Sequence, residues 1–490
     1  MTVQQAATRV ARYADVRPAA PNLRIRLIAY LAASILLITP CFWQSRIQAG
    51  DLSSHIYNTW LASEIRQGKL PGLVVVGHWT NVLFDIVLSG LVRVVGYAPA
   101  QKIAVSAAVL LFFWSAFYFL KVVSRRERWD MVLPLAMLAY GWVFHMGFFN
   151  YYISAALSLA AVAACWRGSS ARSFWAVPLL GLGTLAHFMP VAWAAGAIAY
   201  VCVIKRLRQH VRLAPFVVCC LALGAVSFVL TARFETRHSF RQVFAMTGAD
   251  QTVVFGAKYG LICVGVLVFW FSLWRGLRKK FGYRRILGTP TFQLFALTAA
   301  VVLILPNAVL LAGYEHGLMY VTERTSLIIG VLVCALLARA GSTRWQRVWI
   351  ACVALAFFAW NYRETAKANL METRISAVVA ELPSGARVVS SFQNEHSRVN
   401  LLAHAVDRAC IGRCFSYGNY EPSSRQFRVR ATGPNPYVVW QYSDSDAIQN
   451  GTYSVKPEDV PLYQLVWCNG GQDVCARKLF PGQMNGEGKR

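Results

Sequence analysis

Of 490 residues, 56% are apolar and only 14% are charged, a balance that excludes an ordinary soluble domain. The formal charge of +27 would suggest nucleic acid in a soluble chain. Here Lys and Arg cluster between apolar runs, where they face anionic lipid and fix orientation, so the pattern predicts a polytopic α-helical membrane protein and no nucleic-acid partner.

Residues 1–25 form a basic segment with Arg9, Arg12, Arg17 and Arg24. No small-residue cleavage site follows the apolar run after it, so 26–43 reads as an uncleaved first span that starts in the cytoplasm. A first outer loop, 44–99, comes next. Within it, 52–67 is helical in character, and 81–96 is short, apolar and interrupted by Asp85 and Arg93. Counting 81–96 as a crossing would invert every later basic loop, so it reads as a helix lying at the outer interface.

Further spans are predicted at 100–120, 131–147, 150–166, 174–187, 190–204, 213–231, 253–273, 291–312, 325–340 and 346–361, about eleven transmembrane helices in all. The basic clusters at 121–128, 167–172, 205–212, 275–285 and 339–347 share the cytoplasmic side only if 131–166 and 174–204 are hairpins. These hairpins turn outside, near 145–150 and 187–190. The N-terminus is then inside and the C-terminus outside, with 26–361 as the transmembrane domain.

From 362 to 490 the hydrophobicity changes, predicting a small extracytoplasmic α/β or α+β domain with a helix at 370–382, a strand at 387–391 and β-type runs at 437–442 and 462–467. It holds Cys410, Cys414, Cys468 and Cys475. An oxidising compartment favours two disulfides, most simply the two sequence-local pairs, with zinc as the competing reading. No internal repeat, GxxxxGK[ST] or GxGxxG motif occurs, which argues against a nucleotide-driven engine in this chain.

The outer-face polar residues are Asp51, His55 and Glu64, then Asp85, His145, Asn150 and His187, with Arg233, Glu235, Arg237, His238, Arg241, Asp250, Lys258, Glu315, His316, Glu323 and Arg324 in later loops. Many cations and few carboxylates suit an anionic ligand approached from the membrane plane. Asp51 and His55, at i and i+4, share a helix face, so the carboxylate could accept a proton from an attacking hydroxyl with His55 orienting it. Asp51 could equally be only the N-cap of that helix. Arg324 at a span mouth suits bidentate phosphate binding, or headgroup snorkelling. The charged loop carrying Glu235, Arg237 and His238 either contacts substrate or is simply solvated. His187 and Asn150 are either structural, as a satisfied histidine and a helix cap, or part of a cavity wall with Asp85.

A first span, then Gly50-Asp51 and a helix ending Arg66-Gln67-Gly68-Lys69-Leu70-Pro71-Gly72, then an interfacial apolar helix, resembles the type C (GT-C) superfamily of integral membrane glycosyltransferases. The turns Phe149-Asn150-Tyr151 and Leu185-Ala186-His187 and the arginine at a late span are similar to those of bacterial members. The resemblance implies transfer of a sugar from a polyprenyl-phosphate donor to a glycan, lipid or protein acceptor, on the outer face of a bacterial inner membrane. It implies Asp51 as base or acceptor-orienting group and Arg324 on the donor phosphate; the reading of the outer-face residues adds His55 beside Asp51 and Arg237 or Lys258 beside the phosphate. Asp85, Asn150, His187, Glu235 and His238 would line the cavity. Asn150 stands where some members place a second acidic residue and no DxD is present in these loops, so no cofactor is assigned and a divalent cation, though an open alternative, is disfavoured. The competing classes are a lipid-linked-sugar flippase, which the nearly charge-free spans argue against, and a non-catalytic envelope assembly protein.

Overall fold

The computed structural model describes residues 23–168, 170–208, 211–310, 317–392 and 397–486. Arg9, Arg12, Arg17, Glu315 and His316 lie outside the described residues. The chain divides into two compact units, Met1–Thr39 and Pro40–Arg490. In the first, Leu23–Ile38 is a single, largely apolar helix in which only Leu37 is buried.

Among the described residues, five helices are long and apolar enough to cross a membrane: Leu23–Cys41, Tyr97–Ser124, Phe188–Arg206, Leu213–Arg233 and Tyr259–Phe281. Phe149–Cys165, Ala176–Ala186 and Pro290–Ile304 are apolar but shorter. At 1.5 Å per residue Ala176–Ala186 reaches only about 16 Å, half the thickness of a hydrocarbon core. The other apolar blocks depart from simple spans. Block 131–147 breaks at Tyr140–Gly141 into Val132–Ala139 and Trp142–Met146, where a Cβ on Gly141 would sit 3.0 Å from the Gln251 carbonyl. Block 291–312 stops as a helix at Ile304, just ahead of Pro306, because proline disfavours helical geometry in the residue before it.

The loops predicted to be outer gather at one end of the second unit. Gly50 N donates to the His145 carbonyl (2.8 Å), Val82 N to the Leu185 carbonyl (3.0 Å), and Arg398 Nη1 to the Asp250 carbonyl (2.6 Å). Glu235–Arg237 pairs antiparallel with Ala308–Leu310, tying two more of these loops together. Basic loops meet elsewhere: Arg167 donates to the Val122 carbonyl and Arg212 to the Gly288 carbonyl.

The predicted interfacial helix is Leu83–Val95. It buries Phe84, Asp85 and Leu88 while Ile86, Val87, Val94 and Val95 stay exposed, the two-faced pattern of a helix lying along a surface.

The C-terminal region differs from a self-standing domain. A capping box at Thr343 and Gln346 opens one helix, Arg344–Glu381, that runs unbroken through 361. The change in hydrophobicity there is a change of surroundings along one rod. Beyond it, a four-stranded sheet holds Arg387–Ser390 between two parallel neighbours, Phe415–Ser416 and Leu462–Cys468, with Asp473–Leu479 antiparallel at the edge. The run at 437–442 is not a strand; Val429–Ala431 is, and it pairs with Leu73–Val75 of the first loop. Tyr57, Trp60, Leu61 and Leu70 of that loop share one apolar core with Ile375, Val379, Val388, Val406 and Val429. Burial of each large aliphatic side chain there contributes roughly 2 kcal/mol. Loop and tail thus fold as one cap. A buried pair reinforces it, Arg408 gripping Glu372 through Nε (2.6 Å) and Nη2 (3.0 Å) while Gln48 donates to the same carboxylate. Disulfides Cys410–Cys414 and Cys468–Cys475 close the two sequence-local loops.

Candidate active site

Asp51 stands at the start of helix Leu52–Arg66, where backbone N–H groups and the helix dipole favour a negative charge. Its side chain makes no capping hydrogen bond, so the position is a cap and the carboxylate is not used as one. The turn at 145–149 pins its backbone instead: Asp51 N donates to the Met146 carbonyl at 3.0 Å. Gly147, at φ +84°, allows this approach, since a Cβ there would come 2.5 Å from Asp51 N. The side chain remains 26% exposed, and its closest cationic neighbour is His404, whose Nε2 lies 3.8 Å from Oδ1.

His55 does not turn to Asp51 as the i, i+4 spacing suggested. Its Nδ1 lies 2.8 Å from Asp85 Oδ1, so the ring belongs to a different carboxylate. Asn150 donates to the other Asp85 oxygen (3.1 Å) and accepts from Phe84 N (2.8 Å). Arg428 from the cap completes the cluster, with Nη2 3.4 Å from Asp85 Oδ1 and 2.7 Å from the Thr59 hydroxyl. Burial by itself would lower the His55 pKa, but the Asp85 carboxylate outweighs it and raises the ring to about 9. Burial likewise opposes the Asp85 charge, yet His55 and Arg428 hold its pKa below the ordinary carboxylate value. Asp85, at 5% exposure, is therefore a sealed anion that joins three segments and lines no open cavity wall. Asn150 is part of the same clasp.

Arg324 and His187 form the opposite wall. His187 Nδ1 caps helix Phe188–Arg206 by accepting from Met189 N at 3.2 Å. A neutral imidazole has one acceptor nitrogen, so its tautomer decides whether this cap or a contact at Nε2 uses it. Arg324 Nη1, which can only donate, lies 3.4 Å from the other ring nitrogen, Nε2, so Met189 N and Arg324 compete for the ring's single lone pair. Arg324 Nε has no hydrogen-bond partner. The guanidinium stacks over Phe148 at 3.9 Å, which fixes its plane. Asp51 is near enough for its charge to act on Arg324 and on Tyr320.

The remaining sequence candidates are not brought here. Arg237 and Glu235 sit on the short strand pairing, more than half exposed, and face each other at 3.4 Å; His238 beside them is exposed. Lys258 pairs with Glu364 on the long helix and lies over the Tyr259 and Trp360 rings. Its charge is already engaged.

The cap supplies residues the loop reading missed: His404, Asp407, Tyr420, Glu421 and Arg428. His404 Nδ1 lies 3.2 Å from Asp407 Oδ2. Glu421 is 4% exposed; burial and the nearby Asp85 charge raise its pKa, against the pull of His55 and Arg428. The only local signal for them was an i, i+3 His/Asp pair in a turn-rich tail, a pattern common on solvated surfaces. Among the described residues, no group of three or more His, Cys, Asp or Glu is arranged to hold a metal ion.

No family model, curated protein or solved structure matches this chain.

Proposed function

We propose that this membrane protein is a glycosyltransferase. It would take a sugar from a polyprenyl-phosphate donor and attach it to a glycan, lipid or protein acceptor, on the extracytoplasmic face of a bacterial inner membrane. About eleven crossings would carry the cap outside. The observation that carries this reading is one corner of the molecule with two opposed chemistries. Asp51 offers a carboxylate without a hydrogen bond, while Arg324, packed between His187 and Phe148, keeps its buried Nε–H without an acceptor.

That combination suits displacement at a glycosyl phosphate. The acceptor hydroxyl gives its proton to Asp51 as its oxygen bonds to the anomeric carbon. The bond from that carbon to the phosphate oxygen breaks, and its electron pair leaves with the lipid phosphate. Arg324 meets the developing negative charge where it appears, which lowers the barrier more than it tightens ground-state binding. Arg237 and Lys258 have no part in this scheme, since Arg237 sits with Glu235 on a solvated strand and Lys258 is paired elsewhere.

The test is consumption of radiolabelled polyprenyl-phosphate sugar by protein purified in detergent. Wild type should release polyprenyl phosphate in the presence of an acceptor glycan pool, and Asp51→Asn should reduce the rate about 10²–10⁴-fold. Arg324→Lys, which keeps charge but loses the planar fork, should cost roughly 10-fold or more. Full turnover by Asp51→Asn removes the carboxylate from the mechanism; movement of intact donor across vesicles without consumption would favour a flippase.

A further inference from the structure

We propose that His404, held by Asp407, is the positioning residue of the acceptor side: its imidazolium keeps Asp51 turned toward the incoming hydroxyl. The inference rests on the glycosyl-transfer reading and assigns to the cap a role in the chemistry itself.

The geometry is a chain of fixed groups that ends at an unfixed one. Tyr57 on the first-loop helix accepts from Ser416 N at 3.0 Å, and the Ser416 hydroxyl donates to Asp407 Oδ1 at 2.5 Å. Asp407 is buried at 4% exposure, and its remaining oxygen, Oδ2, lies 3.2 Å from His404 Nδ1, within ion-pair distance but not aligned as a hydrogen bond. The ring lies between the two carboxylates, with Nε2 on the Asp51 side, 3.8 Å from Oδ1. That gap is longer than a hydrogen bond, so the two groups are set facing each other without being locked together. An acceptor hydroxyl entering there could accept from Nε2–H while donating to Asp51.

The surroundings favour the charged ring. Asp51 faces it from the first-loop helix, Asp407 from its own helix Ala405–Cys410, and Glu421 from helix Tyr420–Ser424, whose Tyr420 ring lies 5.4 Å away. Burial opposes the charge, but these carboxyl groups together raise the His404 pKa above its ordinary value. Arg408 on the same helix does not compete, because Glu372 of the long helix takes up its guanidinium. A carboxylate behind a histidine, fixing its tautomer and favouring its cation, is a general way to make one ring nitrogen serve a reacting neighbour.

Two measurements on the full-length protein test this. In histidine C2-hydrogen exchange followed by mass spectrometry, which needs no turnover, the His404 titration should lie above that of a free histidine. It should move to lower pH in Asp407→Asn and in Asp51→Asn. The amide introduced by Asp407→Asn still offers an oxygen to the Ser416 hydroxyl, so the fold is retained. In donor-consumption assays, kcat/KM for the acceptor should fall as pH rises through the His404 titration. Asp407→Asn should shift that alkaline limb to lower pH, and His404→Gln should abolish it while cutting kcat/KM about 10-fold at neutral pH. An equal loss at every pH, or an unshifted His404 exchange profile in Asp407→Asn, overturns the proposal while leaving sugar transfer intact. Absence of transfer by wild type overturns the glycosyltransferase reading itself, and the acceptor role of His404 with it.

Discussion

Two aspartates, Asp51 and Asp85, each face a histidine at the same end of the molecule, and they are wired in opposite ways. Asp85 is 5% exposed and receives His55, Asn150 and Arg428 on its two oxygens. Asp51 is held through its backbone, leaves its carboxylate without a hydrogen bond, and meets His404 across 3.8 Å. A buried charge must be fully partnered or it destabilises the fold. A reacting charge must keep an unfilled valence for its substrate. The contrast separates a structural clasp from a candidate catalytic group with no appeal to sequence position.

Swapping amides for carboxylates should break that contrast most visibly. Asp51→Asn is expected to lose sugar transfer by about 10²–10⁴-fold with a thermal melt in detergent close to wild type. Asp85→Asn should melt earlier, since it leaves His55 and Arg428 without their anion. If both variants melt alike, the distinction between clasp and site fails. Arg428→Met addresses the clasp from the cap. Removing one partner of a buried ion pair leaves the other uncompensated, so a loss of about 3–5 kcal/mol is expected in denaturant titration, together with easier proteolysis between the first loop and the tail.

A pH series sharpens the same comparison with a smaller effect. His55 has a folded pKa of about 9 against an ordinary 6.5, so its contribution to stability is complete below the unfolded value and is lost as pH rises toward about 9. Asp85 is shifted the other way, and its contribution is present above the ordinary carboxylate value and lost on acidification. The melting temperature should therefore decline between about pH 6.5 and 9, and Asp85→Asn should flatten that decline. The smallest expected effect belongs to the exposed Arg237–Glu235 pair. Arg237→Ala should change stability by less than about 1 kcal/mol and leave transfer unaltered; a large loss of transfer would return that loop to the site.

Parts of this were legible along the chain because the cause is local. Apolar runs marked the helices, the short apolar run around Asp85 and Arg93 marked helix Leu83–Val95, and short separation favoured the disulfides Cys410–Cys414 and Cys468–Cys475. Asp51, Arg324 and His187 stood out as polar groups at apolar boundaries, and Arg324 and His187 do meet, at 3.4 Å. The pairing of Asp51 with His55 was misleading. Helical spacing brings side chains to one face but does not choose their partners, and Asp85 competes for the imidazole from a separate helix.

Hydrophobicity and charge act residue by residue, so the amino-acid order alone was enough to mark a membrane protein whose tail differs in character from its apolar helices. Folding in three dimensions was needed to make the first loop and the tail one cap, since the register of Leu73–Val75 on Val429–Ala431 joins positions over 350 residues apart. The same closure turned Asp85 into a clasp and brought His404 to Asp51. Electrostatic partnership depends on distances of a few ångströms and on burial, and neither quantity exists until the chain has closed on itself.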